Sequence, residues 1–252
     1  MKSGNPALSD KVFNKSITRS IGESMTLQGT INKTFILLAL VFATAIFTWE
    51  KTMPAFGDVA PGAGSYGYVM AGVIGGLIFA IATIFKNNWA PITAPAYALF
   101  EGLALGAISA IYEIQYGGIV FQAIFLTFGI CLALLLAYKS RIIKVTEKFR
   151  MGVVAATGGI FIVYMLSFVL SFFGVTIPYI HGSGLIGIGL SVFICIVASL
   201  NLVLDFDFIE KASSRGDVPK YMEWYGAFGL IVTLVWLYLE ILRLLSKLNS
   251  RD

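Results

Sequence analysis

Four carboxyl side chains lie in or beside long apolar stretches, and they are the residues of this sequence whose types and positions could do chemistry. Glu101 lies in YALFEG (97–102), Asp205 and Asp207 in LDFDFIE (204–210), and Glu240 in LYLEILR (237–243). An ionisable group inside a bilayer costs at least about 2.5 kcal/mol unless it is paired or reached by water. Each carboxyl is therefore either neutralised by a neighbour or part of a path for ions or protons.

Residues close in sequence could neutralise or hydrogen-bond these carboxyls, so a purely structural role remains open for each acid. Arg243 lies three residues after Glu240 and can pair with it locally on a helix. Tyr97 lies one turn before Glu101 and can hydrogen-bond to it, which suits a protonated structural glutamic acid.

Asp205 and Asp207 cannot both face the interior of a bundle, because residues two apart on a helix point about 200° from each other. Asp205 shares a face with Asn201, and Asp207 shares a face with Lys211, which can pair with it. Two acids at the end of a helix oppose the helix dipole, so this placement favours function over a solvated helix end.

The composition identifies the elements that must position these acids. Hydrophobic residues make up 58% and charged residues 13% of the 252 residues, whereas a soluble domain is about 25% charged. Backbone groups in lipid must bond within their own segment, so long apolar runs predict helices. The sequence thus predicts an all-α polytopic membrane protein with seven transmembrane helices. The predicted spans are 34–49, 66–85, 95–112, 117–138, 151–173, 184–204 and 225–245.

The distribution of basic residues predicts the orientation. With residues 1–33 as a cytoplasmic N-terminal segment before the transmembrane domain 34–252, 14 of the 18 Lys and Arg residues fall on the cytoplasmic side. The positive-inside rule then favours a cytoplasmic N-terminus and an outer C-terminus. Pairs of glycines four residues apart, at 72 and 76 and at 102 and 106, predict close helix packing within the bundle.

Enzyme chemistry and nucleic-acid binding are not expected. His181 is the only histidine and the two cysteines lie in apolar runs, so no zinc site is predicted. The chain has no phosphate-cradling glycine loop and no cofactor is predicted. Basic residues are scattered among short loops, which suits anionic lipid better than nucleic acid.

These motifs together resemble the Bax inhibitor family, with the bacterial branch as the nearest likeness. The likeness rests on the tail MEWYGAFGLIVTLVWLYLEILRLL (222–245), on LDFDFIE, on YALFEG and on NPAL (5–8), and it covers essentially the whole chain. The resemblance implies a seven-helix bundle with the last helix central, in a bacterial cytoplasmic (inner) membrane. It also implies a pH-sensitive calcium leak controlled by two facing carboxyls on helices six and seven.

Residue by residue, the resemblance assigns that pair to Asp207 and Glu240, with glutamate replacing the family's aspartate. They are the expected pH-sensing pair and transient calcium ligands, with Asp205 beside them. The expected supporting residues are Glu101, Lys86 and Arg243.

Two carboxyls within about 4 Å share one proton, and calcium prefers such hard oxygen ligands. Loss of that proton would add repulsion and separate the helices. Lys86 can alternatively pair with Asp207 and keep the passage closed. However, at 1.5 Å per residue Glu240 lies about 22 Å along its helix from residue 225, so Glu240 and Asp207 are expected at different depths in the membrane. Glu101 is expected closer to Asp207 in depth and is therefore the better partner.

Two other functions remain open. The polar N-terminal segment suits an interaction protein that modulates a membrane-anchored protease, a role associated with related bacterial membrane proteins. Intramembrane acids also serve proton relays, so a proton-coupled transporter is the third alternative.

Overall fold

The computed structural model describes residues 23–53, 64–174, 182 and 184–250, and within them the chain forms seven long helices. All seven are long and apolar enough to cross a membrane, which confirms the predicted all-α, seven-span fold. A 3₁₀ turn, Asn87–Trp89, precedes the third helix. The helices are α1 Leu27–Thr52, α2 Ser65–Phe85, α3 Ala90–Gln115, α4 Ile119–Lys139, α5 Glu147–Ser171, α6 Leu185–Ser214 and α7 Met222–Asn249.

The helices extend beyond the apolar runs that predicted them. α1 begins at Leu27, where the Thr26 side chain accepts a hydrogen bond from the Gly29 amide and caps the helix. α6 continues ten residues past 204, so Asp205 and Asp207 lie inside it and are buried. The expectation that they sit at a helix end is therefore wrong. Hydropathy detects only the apolar part of a helix, and polar turns beyond it stay helical when they pack.

α7 is the central helix, as the family resemblance implied. It packs against α1, α3, α4 and α6. Large side chains along its length are fully buried, including Tyr225, Phe228, Ile231 and Leu237. A change in the position of α7 is therefore transmitted to four neighbouring helices.

Glycines bring α1 and α3 into close contact. A Cβ added at Gly102 would meet the Val41 backbone oxygen, and one at Gly106 would meet the Ala45 backbone oxygen. A Cβ at Gly72 of α2 would likewise collide with the Ala104 backbone of α3. The predicted intramolecular role of these small residues is confirmed.

The start of α1 is fixed to the start of α7 by Glu223, whose side chain is fully buried. Its Oε1 accepts hydrogen bonds from the Thr26 amide at 3.0 Å and the Thr26 hydroxyl at 2.8 Å. Lys33 forms an ion pair with Oε2. We call Thr26, Lys33 and Glu223 the α1–α7 junction.

A second ion pair flanks this junction in the loop before α7. Lys220 bonds to Glu23 and lowers the pKa of that carboxyl below its usual value. The ion pair therefore contributes to folding stability only while Glu23 is ionised. This contribution is lost as the pH falls through the lowered pKa of Glu23.

We predict that Gly106→Ala destabilises the bundle by about 1–3 kcal/mol, because the new methyl group would overpack the α1–α3 contact. The measurement is the thermal unfolding midpoint in detergent. Gly129→Ala is the matched control, since nothing lies within 4 Å of a Cβ at that position on α4. Equal midpoints for the two variants would contradict the close packing of α1 and α3.

Candidate functional site

Polar side chains follow one another along the facing surfaces of α5, α6 and α7. On α5 and α7 they recur every seven residues, which is about two helical turns, so each set lies on one face. We call these residues, with their direct partners, the polar seam. It comprises Arg150, Thr157 and Tyr164 of α5, Ser191, Asn201, Asp205 and Asp207 of α6, and Thr233, Glu240 and Lys247 of α7.

Asp207 occupies one end of the seam, on the side of the bundle where α1 begins. Its carboxylate accepts from Arg150 Nη2 of α5 at 3.0 Å and from Lys211 Nζ, one turn along α6, at 2.7 Å. The Tyr138 hydroxyl of α4 lies 3.4 Å from Oδ1. Arg150 also pairs with Glu147 at 2.9 Å. This network neutralises Asp207 and ties α5 to α6.

Asp205 is the acid that reaches the central helix. Its side chain is fully buried, and its Oδ2 accepts a 2.6 Å hydrogen bond from the Thr233 hydroxyl of α7. A hydrogen bond to a charged group contributes about 1.5–3 kcal/mol. Helix six therefore presents Asp205, and not Asp207, to helix seven.

Asn201 continues the seam toward the membrane centre. Its amide nitrogen donates to the Thr157 hydroxyl of α5 at 2.7 Å and to the Val197 carbonyl at 2.9 Å. Its Oδ1 is buried without a hydrogen-bond partner among the described residues. A buried amide oxygen without a hydrogen-bond partner can accept a hydrogen bond from water or ligate a cation.

Glu240 lies in the half of the seam nearer the C-terminus. Its Oε1 accepts from Arg243 at 2.8 Å and from the Tyr164 hydroxyl of α5 at 3.0 Å. Oε2 is buried and has no hydrogen-bond partner within the described ranges. Farther along α7, the buried Lys247 ammonium donates to Ser191 Oγ of α6 at 2.8 Å. Arg243 thus provides the local neutralisation that the sequence left open.

The expected contact between Asp207 and Glu240 does not form in the described structure. The hydrogen bond between Asp205 and Thr233 places these two residues at the same height in the bundle. From that height, Glu240 lies seven residues away along α7, and Asp207 lies two residues away along α6 in the opposite direction. At 1.5 Å per residue the two acids are about 13 Å apart along the bundle axis. The two carboxyls therefore do not share a proton or a calcium ion. No group of three acidic, histidine or cysteine side chains that could hold a metal occurs among the described residues.

Two expected supporting residues lie away from the seam. The Lys86 ammonium is 4.0 Å from the centre of the Trp89 ring, so its expected pairing with Asp207 is not formed. Glu101 interacts with Tyr97 on its own helix and faces Gly76 of α2. It lies between α2 and α3, and the proposed pairing of Glu101 with Asp207 is likewise not formed.

Sequence reasoning missed most of the partners that hold the seam together. Arg150 and Lys247 lie just outside the predicted spans, where they contribute only to the predicted orientation. Tyr164 and Thr233 lie within spans, and the sequence predicts no partner for them. The spacing of seven along α5 and α7 was the available signal, because hydropathy averages hide isolated polar residues.

Comparison with known proteins gives one match. A family profile described as Bax inhibitor 1 like matches residues 5–250 of the chain. No curated protein and no solved structure matches it.

We predict that Arg150→Met costs about 1.5–3 kcal/mol, because it removes one charged hydrogen bond while Lys211 still neutralises Asp207. Thermal unfolding in detergent measures the loss. The double variant with Asp207→Asn should recover part of it. Arg215→Met is the control, since Arg215 pairs with Asp217 in an exposed loop. If Arg150→Met unfolds at the same temperature as Arg215→Met, the buried ion pair is not formed.

Proposed function

The chain belongs to the Bax inhibitor 1-like family, and we propose that it is a pH-sensitive cation leak whose passage follows the polar seam, with calcium as the permeant ion. The observation that supports this proposal is the length of the seam. From Asp207 to Lys247 it extends about 24 Å by helical rise, most of a hydrocarbon core of about 30 Å. A polar line of this length is costly in lipid and is typical of an ion or proton path.

In the proposal, the described structure is the closed state. Arg150 and Lys211 neutralise Asp207 and hold α5 against α6, while Tyr138 contacts the same carboxyl. Loss of the negative charge on Asp207 would remove its attraction to both cations, and α5 would then separate from α6 at this end of the seam.

The oxygen atoms farther along the seam suit a hard cation. The carboxyl of Asp205 and the unpartnered Oδ1 of Asn201 follow one another along α6, beside the Thr233 hydroxyl. Calcium takes several oxygen ligands in flexible geometry. Arg243 and Lys247 oppose a cation at the other end of the seam, which favours a slow leak over a fast channel.

The proposal also includes the orientation. The N-terminus faces the cytoplasm of a bacterial cell, and Asp207 lies at the cytoplasmic end of the seam.

The test is calcium flux into liposomes that contain the purified protein, between pH 6 and 8. We expect Asp207→Asn to raise flux at pH 8 and to flatten the pH response, because a neutral side chain cannot hold Arg150 and Lys211. Asp205→Asn should lower flux by removing charge from the passage. Asp217→Asn, in the exposed loop, is the control.

Glu240→Gln tests the other half of the passage and should also lower flux, because Arg243 would keep its charge without a counter-ion. Unchanged flux and unchanged pH response in both Asp207→Asn and Glu240→Gln would exclude this function.

The alternative function is an interaction protein that modulates a membrane-anchored protease. The α1–α7 junction favours it, because the backbone at 23–26 is bonded to the loop before α7 and to Glu223, so a partner that binds residues 1–22 would act close to the central helix. Residues 1–22 lie outside the described residues.

Deletion of residues 2–22 separates the two functions while keeping the junction intact. The interaction function predicts that the deleted protein no longer binds the protease but retains its calcium flux. Retained protease binding would reject the role of this segment.

A further inference from the structure

A long groove with a cavity volume of about 380 Å³ lies between α1, α3, α4 and α7, apart from the polar seam. Leu38, Val41 and Ala45 of α1 form one wall, and Val120 and Ile124 of α4 form the opposite wall. The base is formed by α3 and α7.

The lining of the groove is almost entirely apolar. Its hydroxyl groups already have partners: Ser109 and Tyr238 bond to each other at 2.6 Å, and Thr127 donates to the Ala123 carbonyl at 2.7 Å. The other lining side chains are apolar except for Trp49, whose indole carries one N–H donor. The chemistry of the groove therefore fits a hydrocarbon and not a polar solute.

The position and length of the groove match one leaflet of a bilayer. It follows α1 from Leu38 to Trp49, about 16 Å by helical rise, which is about half of the hydrocarbon core. Trp49 is near the end of α1, where the interface concentrates tryptophan. The groove is open on one side, and Phe42 and Phe121 at its rim are 39% and 62% exposed on the lipid-facing surface.

A single hydrocarbon chain is a suitable occupant, because it matches the apolar lining and is present in the surrounding lipid, from which it can enter the groove sideways.

We propose that this groove binds one acyl chain of a bilayer phospholipid, from the leaflet on the side where α1 ends. The chain lies parallel to α1 and fills the space between α1 and α4, which contact each other through the stacked rings of Phe42 and Phe128. Leu234, Val235 and Tyr238 form its contact with the central helix, so the bound chain supports α7 next to Thr233 of the seam. This inference does not depend on the proposed function.

The test uses the full chain in phosphatidylcholine vesicles that contain a phospholipid with a photoreactive diazirine at the middle of one acyl chain. Mass spectrometry of the cross-linked peptides locates the label. We expect labelling to concentrate on the groove walls of α1 and α4. Native mass spectrometry in mild detergent should retain one phospholipid per protein.

Two variants that fill the groove, Ala45→Phe and Ile124→Trp, should reduce labelling of the walls to the level of the outer helix surfaces and lose the retained lipid. Ala133→Phe, on the exposed face of α4, is the control and should label as the unmodified chain does. Both filled variants must elute as folded protein, and at least one of them must keep the thermal midpoint of the unmodified chain. Even labelling around the bundle, wall labelling unchanged by filling, or cross-links between two copies of the chain would each overturn the proposal.

Discussion

The cost of an unpaired polar group in hydrocarbon governs the arrangement of α5, α6 and α7. Each buried ionisable group of the seam has at least one bonding partner on the same or the next helix. Arg150 and Lys211 neutralise Asp207, Thr233 bonds to Asp205, and Arg243 neutralises Glu240. The two bonds between helices, Arg150 to Asp207 and Thr233 to Asp205, also fix the rotation of the three helices, because each requires its two residues to face each other at the same height.

The same constraint explains why the seam divides into separate parts. The charged groups form separate clusters, and neutral Asn201 and Thr157 lie between the levels of Asp205 and Glu240. The Asn201 Oδ1 has no hydrogen-bond partner among the described residues. A continuous row of charges would be more costly, while a fully apolar middle would block any ion. In the proposed leak, this arrangement is the closed state.

The central position of α7 links the seam to the rest of the bundle. One face of α7 carries Thr233 and Glu240, while the α1–α7 junction fixes its start through the buried Glu223. Another face contributes Tyr238 to the apolar groove. The α1–α7 junction, the groove and the seam therefore all include residues of one helix.

The sequence by itself determined the seven helices, the family and the few acids that needed an explanation. These follow from local properties of the chain: the length of an apolar run, and the cost of a carboxyl within it. Even the local pairs of Glu240 with Arg243 and of Asp207 with Lys211 follow from spacing along one helix. Only the tertiary structure decided that Asp205, and not Asp207, meets helix seven, that Arg150 neutralises Asp207, and that Lys86 and Glu101 lie elsewhere. Those pairings depend on the height and rotation of helices distant in sequence. Packing between helices sets both, as Gly102 and Gly106 do for α1 and α3, and no pattern within a single span records it.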